Sequence, residues 1–237
     1  MSRKFAVFDI DGTLIRWQLY HAVVDKLASG GYLGERAKDK LHQARMIWKN
    51  REHSEAFADY EAVLIDVFES ALTTLEPKQF DDMVDDVIDQ YKDQVYTYTR
   101  NLLHDLKSKG YFLLAISGSH QELVEKLAKY YGFDDWAGTK YERGKSFSGE
   151  KFIASHNKQS LLKQMIKEHD LTLENSYAVG DSTSDAEMLE IIENPIAFNP
   201  NQTLLDIAKS KKWPIVLERK NVVYRLNSDE EQYVLFD

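Results

Sequence analysis

Two aspartates one residue apart close an apolar run near the start of the chain. Phe5-Ala6-Val7-Phe8 leads into Asp9-Ile10-Asp11-Gly12-Thr13. The run reads as a buried strand whose carboxyl end carries acid chemistry. Residues i and i+2 of a strand share a face, and Gly12 lets the chain turn sharply after them. Both carboxylates then sit at the lip of a sheet, where two like charges need a neutralising proton or cation. The chain offers partners at comparable places. Ser117-Gly118 ends a second apolar run over 111–116. Asp181 and Asp185 follow a third, Tyr177-Ala178-Val179. Lys158 stands at an expected helix start between them. Four converging carboxylates nearly balance once Lys158 and a magnesium ion join them, and Mg2+ prefers oxygen ligands, with substrate phosphate completing its shell. The Ser117 hydroxyl and the Gly118 N–H are donors for phosphate oxygens. Such a set can attack, neutralise and clamp a phosphoryl group.

These residues need elements to hold them. Continuous apolar runs of strand length, each ended by Gly, Ser or Asp and followed by an amphipathic stretch, predict a parallel sheet covered on both faces. In open sheets of that kind, ligands bind beyond the carboxyl ends of the strands. Strands and helices alternate from residue 95 onward, with a hairpin over 138–149 and strands near 196–198 and 215–217. Between residues 14 and 94 the periodicity is helical throughout. Leu19, Val23, Val24 and Leu27 mark one helix, residues 35–50 a second and 54–71 a third. Pro77 opens a fourth, as a first-turn proline does, with Phe80, Met83, Val84, Val87, Ile88 and Tyr91 inward. Its Asp81, Asp82, Asp85, Asp86 and Asp89 read as a solvated face. The expected fold is α/β: a Rossmann-like, doubly wound parallel sheet with an all-helical cap inserted after the first strand. The core covers 1–14 plus 95–237 and the cap 15–94. Beyond Arg219, 222–224 and 233–236 either pair as a hairpin or extend as a tail.

Composition narrows the function further. The chain has 237 residues, 43% hydrophobic and 29% charged, a balance typical of soluble globular proteins. It has no cysteine, which excludes disulfides and thiolate metal sites. The net charge of -9 argues against a general nucleic-acid binder. No apolar segment suits a signal peptide or a bilayer span, so a cytoplasmic protein away from membranes is expected; the phosphoryl-handling residues make a small phosphorylated metabolite its expected partner. Oligomeric state is not encoded in any such pattern.

The same residues resemble the motifs of a known family. Asp9-Ile10-Asp11-Gly12-Thr13 is similar to the first motif of the haloacid dehalogenase superfamily, Ser117 to the second, Lys158 to the third, and Gly180-Asp181-Ser182-Thr183-Ser184-Asp185 to the fourth. The helical insertion, Phe147-Ser148-Gly149 and the stretch from Asn194 to Pro200 resemble its phosphoserine phosphatase-like branch, subfamily IB. The resemblance spans 5 to about 217. It implies a magnesium-dependent phosphatase that hydrolyses a small phosphomonoester through an aspartyl-phosphate. It makes Asp9 the nucleophile and Asp11 the general acid and base, with proton affinity raised by Asp9 and Asp181 and with Thr13 helping to hold it. It assigns magnesium to the side chains of Asp9 and Asp181, the Asp11 backbone carbonyl, and Asp185 as ligand or as an orienting group. Ser117, Gly118 and Lys158 then stabilise the transferring phosphoryl group. Phosphoserine phosphatases resemble one another in a cap glutamate that meets the substrate ammonium. Gln18 stands at that position here, which argues against phosphoserine. Gln18 and Arg45 are the candidate substrate contacts, beside Arg16, Trp17, His21, Trp48 and Arg51.

Two other activities fit part of the pattern. A phosphotransferase or mutase uses the same aspartyl-phosphate. A receiver-like signalling domain shares the acids, hydroxyl and lysine, but leaves the helical insertion without a purpose.

Overall fold

The computed structural model describes residues 2–229 and 232–236. Its centre is the first apolar run. Strand β1 (Arg3–Phe8) buries Phe5, Ala6, Val7 and Phe8 completely, as a strand with neighbours on both edges and layers on both faces must. Burying one such phenylalanine or valine side chain contributes roughly 1.5–3 kcal/mol. β2 (Phe112–His120) pairs with it on one side and β5 (Leu171–Gly180) on the other, both parallel. With β3 (Asp135–Arg143), β4 (Phe147–Phe152), β6 (Asn194–Phe198), β7 (Ile215–Arg219), β8 (Val222–Asp229) and β9 (Gln232–Phe236), the sheet order is β4-β3-β2-β1-β5-β6-β7-β8-β9. The neighbours from β3 through β7 run parallel. The tail resolves as an antiparallel hairpin, β8 on β7 and β9 on β8.

The intervening helices are α1 (Leu19–Ser29), α2 (Glu35–Asn50), α3 (Ala56–Leu72), α4 (Pro77–Tyr91), α5 (Thr97–Ser108), α6 (Gln121–Tyr131), α7 (Lys158–Glu168), α8 (Ala186–Glu190) and α9 (Gln202–Lys211). Leu162 and Met165 of α7, Met188 and Leu189 of α8, and Leu204 and Ala208 of α9 pack with Val7, Leu114 and Ala178 of the sheet in one apolar core. This is the Rossmann-like α/β architecture expected. No described helix is long and apolar enough to cross a membrane.

Two stretches depart from the expected pattern. β5 begins at Leu171, six residues before the apolar triplet, because its polar first half pairs with β1 across an irregularity between Lys4 and Ala6. Polar, non-alternating residues such as Glu174 and Asn175 give no strand signal. The chain also divides into two compact units, residues 1–18, 90–140 and 152–237, and residues 19–89 with 141–151. The hairpin tip, read from sequence as part of the sheet domain, therefore groups with the helices. Within that unit Phe147 packs edge-on against Phe80 at 5.6 Å, and Tyr141 against Phe68 at 5.8 Å. Arg143 pairs with Asp81 at 2.6 Å. The α4 stripe Phe80, Met83, Val84, Val87 and Ile88 is buried, and Asp82, Asp85, Asp86 and Asp89 are exposed, as anticipated; Tyr91, at the last turn, and Asp81, paired with Arg143, are half-buried instead.

Candidate active site

Strand register places the acids. Phe8, the last residue of β1, faces Ala115 of β2 and Val179 of β5. The three strands are therefore level at this point, with Asp9, Ser117 and Asp181 one or two residues beyond, β2 itself continuing to His120. Asp9 N–H donates to the Val179 carbonyl at 2.9 Å and fixes the nearest neighbour. Gly12 then turns the chain at φ +78°, and a Cβ there would stand 2.1 Å from Asp181 Oδ2. Glycine is required at this point both for the backbone conformation and for the approach of Asp181.

Lys158 is the first residue of α7 and is almost wholly buried, at 3% exposure. Its Nζ donates to Asp9 Oδ1 and to Asp185 Oδ1, each at 2.6 Å. Asp9 is 4% exposed and Asp185 fully buried. Asp185 closes a short 3₁₀ helix over Thr183–Asp185, and its Oδ2 accepts from the Asp181 and Ser182 N–H groups at 3.1 and 2.9 Å. It is at once a helix-start aspartate and the second partner of Lys158. Ser117 Oγ donates to Asp11 Oδ2 at 2.7 Å and accepts from the Ser119 N–H at 2.9 Å.

Thr13 behaves differently from expectation. Its Oγ1 is buried with no hydrogen-bond partner among the described residues. Ser117 Oγ is a group that does meet the Asp11 carboxylate. Thr13 contributes its backbone instead, its carbonyl accepting from Thr99 Oγ1 at 2.8 Å. Thr99, which lies near the start of α5, carried no signal in the sequence. Asn201 is a second such residue. Its N–H donates to the Asp181 carbonyl at 2.8 Å, while its side chain caps α9 through the Leu204 N–H. An asparagine just ahead of a helical stretch is a readable cap, and that was the available clue.

The proposed substrate contacts outside this cluster sit as follows. Gln18 is half-buried in the sheet unit. Arg45 belongs to the helical unit, where a guanidinium nitrogen lies 3.7 Å from Asp25 Oδ1 and Nε is buried without a hydrogen-bond partner among the described residues. In the same unit Trp48 stacks on Tyr60 at 5.3 Å and leans on Phe57.

Charge in the cluster is unbalanced. Burial pushes the Asp9 carboxyl up to about 7; Lys158 pulls against this, and Asp185 and Asp11 add to it. Asp181 is likewise raised, by burial first and then by Asp9 and Asp185. Burial opposes the Lys158 charge, but Asp185 and Asp9 more than offset it and hold the ammonium above the ordinary lysine range. Asp9, Asp181 and Asp185 each offer a carboxylate oxygen, all within 4.8 Å of one another. Hard oxygen donors, an excess of negative charge and a wall kept open by Gly12 fit a divalent cation such as Mg2+.

The sign of the effect on stability follows from these shifts. A folded carboxyl pKa above the unfolded value stabilises below about pH 4 and loses that contribution as pH rises through 7. A cation that replaces those protons offsets the loss. Magnesium should therefore raise the Tm of chelator-treated protein more at about pH 8 than at about pH 5. Equal shifts, or none, would remove the acid cluster as a metal site.

A family model of the haloacid dehalogenase-like hydrolases matches residues 6–190. The chain belongs to that family. As a member, it is an enzyme, a hydrolase of the phosphatase kind. It is 24% identical over 225 residues to a histidinol-phosphatase of Neisseria meningitidis, covering 90% of this chain and 98% of the relative. It is 22% identical to a phosphoserine phosphatase of Archaeoglobus fulgidus, over 87% of this chain and 56% of the relative. Among solved structures, a protein of unknown function from Bordetella pertussis Tohama I superposes with a TM-score of 0.71 at 20% identity, covering 91% of this chain and 98% of that one. A phospho-aspartyl intermediate analogue of phosphoserine phosphatase superposes with a TM-score of 0.63 at 17% identity, over 93% and 96%. These two likenesses concern the fold.

Proposed function

We propose that this hydrolase releases phosphate from small phosphomonoesters through an aspartyl-phosphate on Asp9, with magnesium as cofactor. The observation that carries the reading is the buried Lys158 ammonium held at 2.6 Å by both Asp9 and Asp185, beside a Ser117 hydroxyl at 2.7 Å from Asp11. A carboxylate, a fixed cation, a hydroxyl and a second carboxyl are the parts a phosphoryl transfer needs.

Lys158 engages Oδ1 of Asp9, so Oδ2 is the atom assigned to attack. The Asp9 oxygen forms a bond to phosphorus as the ester P–O bond breaks. Asp11 gives its proton to the leaving oxygen, then takes one from the water that attacks the phosphorus. Phosphate departs and Asp9 is regenerated. Lys158, the Ser117 hydroxyl and the Gly118 N–H meet the equatorial oxygens, where charge builds up. Asp9 and Asp181, with the Asp11 carbonyl, would hold Mg2+, and Asp185 keeps Lys158 oriented. When bound, the ion would offset the charge of substrate phosphate and carboxylates that otherwise repel.

The histidinol-phosphatase and phosphoserine phosphatase relatives make amino-alcohol phosphates the first substrates to try, and Gln18 disfavours phosphoserine among them. The test is a phosphate-release screen over many phosphomonoesters, including both of these, with magnesium and with chelator. Release from at least one ester, abolished by chelator and restored by magnesium, is the expected result. No release from any ester, or release indifferent to magnesium, contradicts the reading. Phosphate recovered on a second acceptor instead of in water would make the protein a phosphotransferase.

A further inference from the structure

One hydroxyl outside the acidic set ties two phosphate-facing segments together. Along the β2–β3 pairing Ile116 faces Ala137 and His120 faces Thr139, so four steps of β2 are set against two of β3. The surplus bulges out over residues 117–119, the stretch that carries Ser117 and Gly118. Bulges re-aim backbone and side chains beside active sites, but their polar groups still need partners. Gly138 makes room for this one. A Cβ there would stand 2.9 Å from the Ser119 carbonyl oxygen and 2.8 Å from Gln121 Cα.

Thr139, buried at 2% exposure, anchors the bulge from below. Its Oγ1 donates to the Gly118 carbonyl at 2.7 Å and accepts the Ala154 N–H at 3.2 Å. Ala154 opens the 3₁₀ turn Ala154–His156, which runs through Asn157 directly into Lys158. The two segments are also packed together: a Cβ on Gly118 would lie 3.2 Å from Ser155 Cβ. A threonine hydroxyl has one proton to give and lone pairs to accept with. Valine has the same shape and neither capacity.

We propose that Thr139 is a positioning residue. Its hydroxyl couples the bulge at 117–118 to the segment that carries Lys158, so that donors from both act on one phosphoryl group. This rests on the roles given above to Ser117, Gly118 and Lys158; Thr139 itself touches no reacting atom. Loss of the coupling lets the two sets of donors drift apart, and a misplacement of about 1 Å is enough to cost on the order of a hundredfold in rate.

Thr139→Val and Thr139→Ser are compared with the parent protein in magnesium-dependent hydrolysis of p-nitrophenyl phosphate and in amide hydrogen exchange. Thr139→Val should lower kcat roughly ten- to a hundredfold while KM stays within about threefold. Exchange should rise in both 117–119 and 154–158, and Thr139→Ser should restore rate and protection together. Thr139→Ala carries the same comparison if the valine variant does not fold. A valine or alanine variant with the parent kcat, or exchange that rises in one segment alone, overturns the proposal. If the parent protein hydrolyses no ester, the functional reading fails separately, and the exchange comparison still decides the coupling.

Discussion

Asp9→Asn should leave the protein folded and reduce phosphate release by at least roughly 10⁴-fold, the scale on which removal of a covalent nucleophile acts. The amide has the size of the carboxylate and still accepts from Lys158, so packing around the end of β1 is preserved. It also removes one charge from a site whose carboxyls burial already pushes upward. The variant should therefore be at least as heat-stable as the parent in chelator near neutral pH. That combination separates a chemical role from a structural one. A structural aspartate would lose stability on substitution, and an incidental one would keep its rate. Thermal melting in chelator and phosphate release with magnesium check both halves.

Lys158→Met should be damaging in both respects. The side chain keeps its length, but the ammonium that Asp9 and Asp185 share at 2.6 Å is gone. Removing one partner of a buried ion pair costs about 3–5 kcal/mol, because a charge stays behind uncompensated. Here two carboxylates stay behind. Burial already pushes the Asp9 carboxyl up to about 7, and without the ammonium that pulls against it the carboxyl rises further, so the destabilisation should grow as pH rises. Loss of the cation aimed at the phosphoryl group should also lower kcat/KM by about 10²–10³-fold. Urea unfolding at two pH values measures the first effect and phosphate release the second. A variant with parent stability and parent rate would show that Lys158 is a bystander and that another lysine serves the site.

Much of this site is legible in the sequence alone. Asp9 and Asp11 announce themselves because an apolar run that ends in paired acids and a glycine has few physical solutions. Lys158 was less obvious. Several lysines lie nearby in the chain, and only its place at the start of α7 singles it out. The sheet order that sets Ser117 on one side of Asp9 and Asp181 on the other is a matter of crossovers between distant strands, and local periodicity does not encode it. The first half of β5 gives no strand signal because Glu174 and Asn175 sit at an irregularity, where neither alternation nor apolar character is needed. Residues 138–149 read as a hairpin, yet the grouping of 141–151 with the helical unit depends on Phe80, Phe68 and Asp81, some seventy residues away in sequence. Thr99 and Thr139 act on backbone groups of other segments. A lone hydroxyl of that kind carries no pattern, and only the fold shows what it holds; Asn201 is readable as a helix cap, but its backbone bond to Asp181 is not.

A covalent bond between Asp9 and phosphorus is the step on which the proposed mechanism depends. The most direct measurement quenches the enzyme during turnover of its best ester, reduces it with borohydride, and sequences the peptides by mass spectrometry. Reduction converts an acyl phosphate to the corresponding alcohol, so an aspartyl-phosphate appears as homoserine. Homoserine is expected at position 9, dependent on substrate and magnesium and absent from Asp9→Asn. Turnover with position 9 unmodified, or homoserine at another aspartate, would contradict it.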